Sequence, residues 1–317
     1  MPRIVITEMM DPQGIQLLQK IGEVIYDPGL WDKPESLMTF LTSADALIVR
    51  NQTRVSEELL AGTKNLRVIG RLGVGLDNID IGAAQRHHIE VVAALGANAI
   101  AVAEFVLAYC FSQSRQLVAV DRNVREGHWN RKLGGFELYG KILGIVGLGD
   151  IGQRLALRAK ALGMSILASD PVRLPTHWTV MEGQVELVDL DELLRESDFV
   201  SLHVPLMPET RHLINRKVLS QMKSSAYLIN TSRGGIIDEE ALLEAVRTGT
   251  LQGALLDVRE VEPPGATDPL LGEPRIMLTP HISGLTQEAG IRTARLVADD
   301  VIRVLSNQAP RASVLHK

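Results

Sequence analysis

Gly147-Leu148-Gly149-Asp150-Ile151-Gly152 carries three glycines in G-x-G-x-x-G spacing. That spacing suits a strand-to-helix turn that cradles a dinucleotide pyrophosphate. Lys141–Val146 reads as the strand leading in, and Ile151, Leu155, Ala159 and Leu162 then recur at helical spacing until Gly163. A second strand, Ser165–Ala168, ends near Asp170, 18 residues beyond Gly152. In such a unit Gly147 permits the tight turn, Gly149 lets the backbone approach the pyrophosphate, and Gly152 lets helix and strand pack closely. Backbone N–H groups and the helix dipole hold the phosphate charge. Asp170 would accept hydrogen bonds from both adenosine ribose hydroxyls and repel a 2′-phosphate, which favours NAD over NADP. Arg173 lies near enough in sequence to soften that preference.

A dinucleotide site raises hydride chemistry. Reducing a 2-keto acid requires a proton donor at the carbonyl oxygen, a cation for the carboxylate, and an acidic partner that tunes the donor. Three segments at expected strand ends offer these groups: Asn230-Thr231-Ser232-Arg233-Gly234-Gly235, Asp257-Val258-Arg259-Glu260-Val261-Glu262-Pro263, and Thr279-Pro280-His281-Ile282-Ser283-Gly284. Histidine is the natural acid/base near neutral pH. Of eight histidines, His281 lies between a proline and a Ser-Gly turn. His87 and His88 sit in a polar helical stretch, His316 is in the tail, and His177 and His212 have no such framing. By itself Arg233 also reads as a salt-bridge partner and Glu262 as a solvated loop charge.

The elements that must position these groups are short apolar runs alternating with amphipathic segments. Strand-like runs fall at Ile4–Thr7, Val24–Tyr26, Ala46–Val49, Arg67–Ile69 and Glu90–Val92, with helix-like stretches between them at Gly14–Ile21, Ser36–Leu41, Glu57–Ala61 and Ile81–His87. A second series runs through Ile142–Val146, Ser165–Ala168, Phe199–His203, Tyr227–Asn230, Ala254–Asp257 and Ile276–Leu278. Runs rich in Val, Ile and Leu suit strands buried on both faces of a parallel sheet. The fold class expected is α/β, with two doubly wound parallel-sheet domains. Their joint falls near 97–103. The last helical stretch, Thr286–Leu305, has too few partners to stand alone and is expected to pack back on the first domain. The expected division is 1–98 with 285–317, and 99–284.

A chain of 317 residues, 45% apolar and 22% charged, is long enough for two such cores. The formal net charge of −5, with no Lys/Arg run, argues against nucleic acid as a main partner. The single cysteine, Cys110, excludes an intrachain disulfide and fits a reducing cytoplasm. It reads as a small buried hydrophobe. The chain opens directly on a strand-like run, with neither a signal peptide nor a long uncharged apolar stretch, so no membrane partner is expected. No cluster has metal-ligand spacing, and no metal is expected.

Taken together, these segments resemble the D-isomer-specific 2-hydroxyacid dehydrogenase family, nearest its phosphoglycerate dehydrogenase branch. The likeness runs from Arg71-Leu72-Gly73-Val74-Gly75-Leu76-Asp77-Asn78-Ile79-Asp80 through Asn98–Glu104, the glycine motif, Leu202-His203-Val204-Pro205-Leu206, and the Arg233, Glu262 and His281 segments. The resemblance implies a Rossmann NAD domain beside a flavodoxin-like substrate domain. It implies that His281 is the acid/base, that Glu262 orients it, and that Arg233 binds the substrate carboxylate and carbonyl. Backbone N–H groups around Gly73, Val74 and Gly75, next to Leu72, would also hold the carboxylate. Val74 would lie near the nicotinamide, and Asp257 would bond its carboxamide. Asp150, Ile151, His203, Val204, Pro205, Thr210, Thr231, Ser232, Ser283 and Gly284 would complete the cofactor site. The family usually dimerises through its cofactor domain, with segment 99–140 crossing to the partner.

Many relatives carry an aromatic residue at the position of Arg259. A charge there opens the alternative that Glu260, rather than Glu262, serves His281, although the Glu-Pro dipeptide favours Glu262. For the group on C2, Arg50, Asn51, Gln52, Thr53 and Arg54 follow an expected strand, with Arg71 and Arg131 as further candidates. Arginine suits a second anionic group. Tyr26–Leu30 and Thr286-Gln287-Glu288 resemble a sulfolactate dehydrogenase subgroup, which sets a sulfolactate-type substrate beside phosphoglycerate. The alternatives are a glyoxylate or hydroxypyruvate reductase, a formate dehydrogenase, and an NAD-sensing corepressor-like binding protein. Formate dehydrogenase is disfavoured by Glu262-Pro263, where that relative has Gln-Pro.

Overall fold

The computed structural model describes residues 1–171 and 185–314, so Arg173, His177 and His316 lie outside the described residues. By its contacts the chain falls into two compact units, Met1–Asn98 with Leu285–Lys317, and Ala99–Gly284.

The first unit is a five-stranded parallel sheet of β1 (Arg3–Ile6), β2 (Glu23–Tyr26), β3 (Ala46–Val49), β4 (Val68–Arg71) and β5 (Glu90–Ala93), in the order β2-β1-β3-β4-β5. This is the flavodoxin-like order. The connecting helices are α1 (Pro12–Gln19), α2 (Pro34–Leu41), α3 (Glu57–Ala61) and α4 (Ile81–Arg86). Asp11, Ser56 and Asp80 start three of them by accepting first-turn N–H groups. The period-two alternation of strand residues divides the core. Ile4, Ile6, Ala46, Ile48 and Val68 face one layer, and Val5, Leu47, Val49, Ile69 and Val91 face the other. The first layer is covered by α1 and by the C-terminal helix Gln287–Leu305, whose Ala294, Val297, Ala298 and Val301 are buried. Gly70 makes room for that helix, because a Cβ there would lie 2.6 Å from Val297.

The second unit is a seven-stranded parallel sheet. Its strands are β6 (Ile142–Val146), β7 (Ser165–Ser169), β8 (Glu186–Leu187), β9 (Phe199–Leu202), β10 (Tyr227–Asn230), β11 (Gly253–Leu256) and β12 (Ile276–Leu278). The order is β12-β11-β10-β9-β6-β7-β8. From β6 the chain builds outward one way through β7 and β8, then returns to add β9 through β12 on the other side, which is the Rossmann arrangement. Helices α5 (Ala99–Ser114) and α7 (Asp150–Ala161) cover one face; α8 (Leu190–Glu196), α9 (Arg216–Leu219) and α10 (Glu239–Arg247) cover the other. A further helix, α6 (Leu117–Arg125), buries none of its residues. Helices α8, α9 and α10 fall between expected strands without a counterpart among the expected elements, and neither β8 nor α6 has one. The strand β8 is two residues long, too short for a period to show, and α6 lies just past the run of small and apolar residues that marks α5.

Candidate active site

Parallel strands send all their carboxyl ends to one edge, and ligands gather there, at the point where strand order reverses. In the second unit that point lies between β6 and β9. The loops leaving β6, β7, β9, β10, β11 and β12 carry the glycine motif, Asp170, His203, Arg233, Glu262 and His281 respectively.

The glycine turn is shaped by close approaches. Gly147 has φ +96°, and a Cβ there would come within 2.8 Å of the His203 backbone. A Cβ on Gly152 would fall 2.3 Å from the Gly147 carbonyl oxygen, so this glycine sets how tightly α7 meets β6. Among the described residues nothing lies within 4 Å of a Cβ on Gly149, so they leave the turn open above its middle glycine. Helix α7 begins directly after it, with Asp150 and Ile151 in the first turn. Asp170 Oδ2 accepts the Leu148 N–H at 2.7 Å, which fixes the acidic side chain against the turn.

The neighbouring walls hold polar atoms with no partner among the described residues. Thr231 Oγ1 and His203 Nδ1 are buried without a hydrogen bond. His203 Nε2 meets Ser201 Oγ at 2.9 Å, and burial pushes the imidazole down to about 4, so the ring is neutral at pH 7. Thr210 Oγ1 donates to the Pro205 carbonyl at 2.6 Å and accepts the Met207 N–H at 2.7 Å, which closes the loop containing Val204 and Pro205. Ser232 Oγ donates to the Leu202 carbonyl at 2.8 Å. An open glycine turn, a helix N-terminus and orphaned buried polar atoms fit a dinucleotide, whose phosphates and amide would occupy them.

Beside this lie the titratable groups. His281 Nδ1 is 2.8 Å from Glu262 Oε2. The other carboxylate oxygen, Oε1, accepts the Arg259 backbone N–H at 2.9 Å. Burial alone would raise the Glu262 carboxyl. The hydrogen bonds from His281 and Arg259, with the charges of His281 and Arg233, outweigh it and hold the group below the usual glutamate value. Arg233 therefore lies close enough to act on the pair, and its Nη1 donates to the Ser232 carbonyl at 2.7 Å. Asn230 Nδ2 donates to the Arg233 carbonyl at 2.8 Å and steadies the loop.

Asp257 anchors the histidine loop. Its buried carboxylate accepts the Thr279 hydroxyl and the N–H groups of Ile282 and Ser283, at 2.7, 2.9 and 2.8 Å, and its carbonyl accepts the His281 N–H at 2.8 Å. His281 itself is in the left-handed region at φ 56°, and Gly284 follows the anchored stretch. Glu260 does not reach His281. It pairs with Arg211 at 2.6 Å and lies 3.4 Å from His212, so the two glutamates of the segment face different partners.

In the first unit, Leu72, Gly73, Val74 and Gly75 follow β4, with Leu72 buried and Val74 exposed. The Gly73 N–H donates to the Arg71 carbonyl at 2.8 Å, and the buried Arg71 sends Nη1 to the Leu72 carbonyl at 2.8 Å. Arg50 and Asn51 follow β3, and here the structure adds a residue that sequence reasoning missed. Glu8, buried at the end of β1, accepts the N–H groups of Arg50, Asn51, Gln52 and Thr53 at 2.8–3.1 Å and the Thr53 hydroxyl at 2.8 Å. The only hint in the sequence is a charged residue directly after an apolar strand. Arg131 lies exposed in the segment after α6. Among the described residues no His, Cys, Asp or Glu group is set to hold a metal ion, and no helix is long and apolar enough to cross a membrane.

Residues 107–283 match the sequence model described as D-isomer specific 2-hydroxyacid dehydrogenase, NAD binding domain. The (S)-sulfolactate dehydrogenase of Chromohalobacter salexigens is 43% identical over 98% of this chain and 100% of that protein. The D-3-phosphoglycerate dehydrogenase of Methanocaldococcus jannaschii is 41% identical over 97% of this chain, which spans only 58% of that relative's length. Among solved structures, the TT0316 protein of Thermus thermophilus superposes with a TM-score of 0.89 at 35% identity, covering 98% of this chain and 99% of that one. The chain belongs to the D-isomer specific 2-hydroxyacid dehydrogenase family, and its second unit contains that family's NAD-binding domain.

Proposed function

We propose that the protein is an oxidoreductase that moves hydride between NAD(H) and a small D-type 2-hydroxy acid or its 2-keto acid. The observation that carries this reading is the 2.8 Å contact of His281 Nδ1 with Glu262 Oε2, on an NAD-binding domain with Arg233 beside it. NAD bound at the glycine turn supplies or accepts the hydride at C2 of the acid.

The chain's own residues do the rest. With Nδ1 directed to an ionised Glu262, Nδ1 carries a proton and Nε2 is the nitrogen that exchanges one with the substrate oxygen. During reduction the imidazolium gives that proton to the keto oxygen, and during oxidation the neutral ring removes it from the hydroxyl. Glu262 stabilises the imidazolium and fixes the ring plane. Arg233 grips the carboxylate and polarises the carbonyl through its planar fork. In the first unit, the loop 73–75 is a candidate carboxylate-binding segment, and its Gly73 N–H is bonded to the Arg71 carbonyl. Thr231, Ser232 and Asp257 line the cofactor channel, and Asp170 favours NAD by repelling a 2′-phosphate.

We infer further that the acid carries a second anionic group, of the 3-sulfolactate or 3-phosphoglycerate type. Supporting this is the likeness to the sulfolactate dehydrogenase over that relative's whole length, with Arg50 after β3 as a candidate cation for the second group. The protein works as a homodimer through the NAD domain. Phe111, Leu117, Val118, Val124, Trp129 and Tyr139 are exposed apolar residues along segment 99–140, the stretch a partner would cover. A cytoplasmic setting agrees with Cys110, the single cysteine, whose thiol burial pushes up to about 12.

The test is NADH consumption by the purified protein with glyoxylate, pyruvate, hydroxypyruvate, phosphohydroxypyruvate and sulfopyruvate. Preference for a dianionic keto acid supports the substrate reading; preference for glyoxylate or hydroxypyruvate replaces it with the reductase reading. No turnover of any acid despite tight NADH binding overturns the enzyme.

A further inference from the structure

We propose that Arg259 is a positioning residue: clamped between Glu239 and Asp268, its guanidinium fixes the turn whose backbone N–H holds Glu262 against His281. The inference rests on the proposed catalytic roles of Glu262 and His281 and adds what sets their geometry.

The Arg259 side chain is only 6% exposed. Its Nε and Nη2 each reach one oxygen of Glu239 at 2.9 Å, the planar two-point arrangement that guanidinium makes with carboxylate. Nη2 also reaches Asp268 Oδ2 at 2.6 Å. Glu239 stands in the first turn of α10, and Asp268 caps the short turn Pro269–Gly272 through the Leu270 N–H. One guanidinium therefore ties two separate elements to the loop after β11. Glu239 grips that loop a second time, because its Oε1 also accepts the Glu260 N–H at 2.9 Å. The Arg259 N–H, on the same anchored turn, donates to Glu262 Oε1 at 2.9 Å.

A buried ion cluster of this kind adds little net stability over an apolar packing of the same volume, so its use here is geometric. The groups facing Glu262 are the His281 ring, the Arg233 charge and the Arg259 N–H, while Glu260 is turned to Arg211 and His212. If the turn loosens, Glu262 loses the contact that stops its carboxylate from rotating off His281.

Arg259→Met would strand two buried carboxylates beside each other and threatens the fold. Arg259→Lys keeps the charge but cannot supply the fork. Two readouts are needed. The first is the carboxyl ¹³C titration of Glu262 in the protein without substrate, assigned by Glu262→Gln. The second is kcat and KM for the preferred keto acid, with NADH affinity as the control for folding. The expected result is a Glu262 midpoint moved up toward the ordinary glutamate value, with kcat down about tenfold, short of the ~10²–10⁴ of full acid/base loss. KM and NADH affinity should hold within about twofold. An unchanged Glu262 midpoint and unchanged kcat overturn the proposal. If the wild type reduces no keto acid, the catalytic reading fails, and the titration alone still judges whether Arg259 positions Glu262. Glu239→Gln gives the same test from the other side of the clamp.

Discussion

Gly234 lies flat on the backbone of Arg259: a Cβ built on it would fall 1.9 Å from the Arg259 carbonyl carbon and 2.2 Å from the Glu260 nitrogen. The loop carrying Arg233 and the loop carrying Glu262 thus touch main chain to main chain, with no space for even a methyl group. Gly234→Ala must drive them apart. It should cost about 1–3 kcal/mol or more in stability, the range for overpacking a filled site. Turnover should fall more than NADH affinity does, because the displaced loops bear Arg233 and Glu262 while the glycine turn is on another strand. Thermal unfolding and steady-state kinetics on the same preparation check both parts.

Glu8 makes acid stability legible. Burial would raise its carboxyl, but the N–H groups of Thr53, Gln52 and Arg50 and the Thr53 hydroxyl together bring it below 4.5. A carboxyl lowered on folding contributes stability that is present above the unfolded value and lost as pH falls through the folded one. Glu8→Gln should therefore flatten the decline of Tm below about pH 4.5. At pH 7, Glu8→Ala should cost about 3 kcal/mol by leaving several N–H groups without an acceptor. A Tm profile of the Gln variant parallel to wild type across the acid range would remove Glu8 from the account.

Asp257 accepts three hydrogen bonds from the residues on either side of His281. Asp257→Asn would turn an amide NH₂ toward one of the backbone N–H groups it now accepts. The expected cost is about 1–3 kcal/mol, with turnover reduced because the His281 loop is no longer pinned. Hydrogen exchange at the amides of Ile282 and Ser283 reads the loosening directly, and unchanged protection there would contradict it.

Asp170 sits on the Leu148 N–H of the glycine turn. Asp170→Ala removes the charge that opposes a 2′-phosphate. The NADH-to-NADPH ratio of kcat/KM should drop at least about tenfold. A ratio that stays put would move cofactor choice to residues outside the described ones, Arg173 first among them.

Much of this architecture was legible because its signals are local. A strand, three glycines and a helix lie contiguous in sequence, and Pro280 and Glu262-Pro263 frame the acid/base segments within a few residues. The burial of β1, β3, β6 and β9 on both faces follows from their nearly unbroken apolar runs, whose successive side chains point to opposite cores. Other parts depend on partners distant in sequence and gave no such pattern. Glu8 reads as an isolated charge until the chain brings in residues 50–53. Arg259 reads as a departure in the catalytic loop until α10 supplies Glu239 and the turn at Pro269 supplies Asp268. The choice of Glu262 over Glu260 is likewise a tertiary fact, since Arg211 and His212 draw Glu260 away. Strand β8 and helix α6 were missed for opposite reasons: one is too short for a period, and the other has a strong polar face but no apolar face buried within the protomer.

In the proposed mechanism His281, held by Glu262, passes the proton to the keto oxygen. The most direct test is single-turnover reduction of the preferred 2-keto acid with NADH bound, comparing wild type with His281→Gln. The expected result is a hydride-transfer rate lower by ~10²–10⁴ with the NADH dissociation constant unchanged. A rate within about threefold of wild type would contradict the claim and assign the proton to another group.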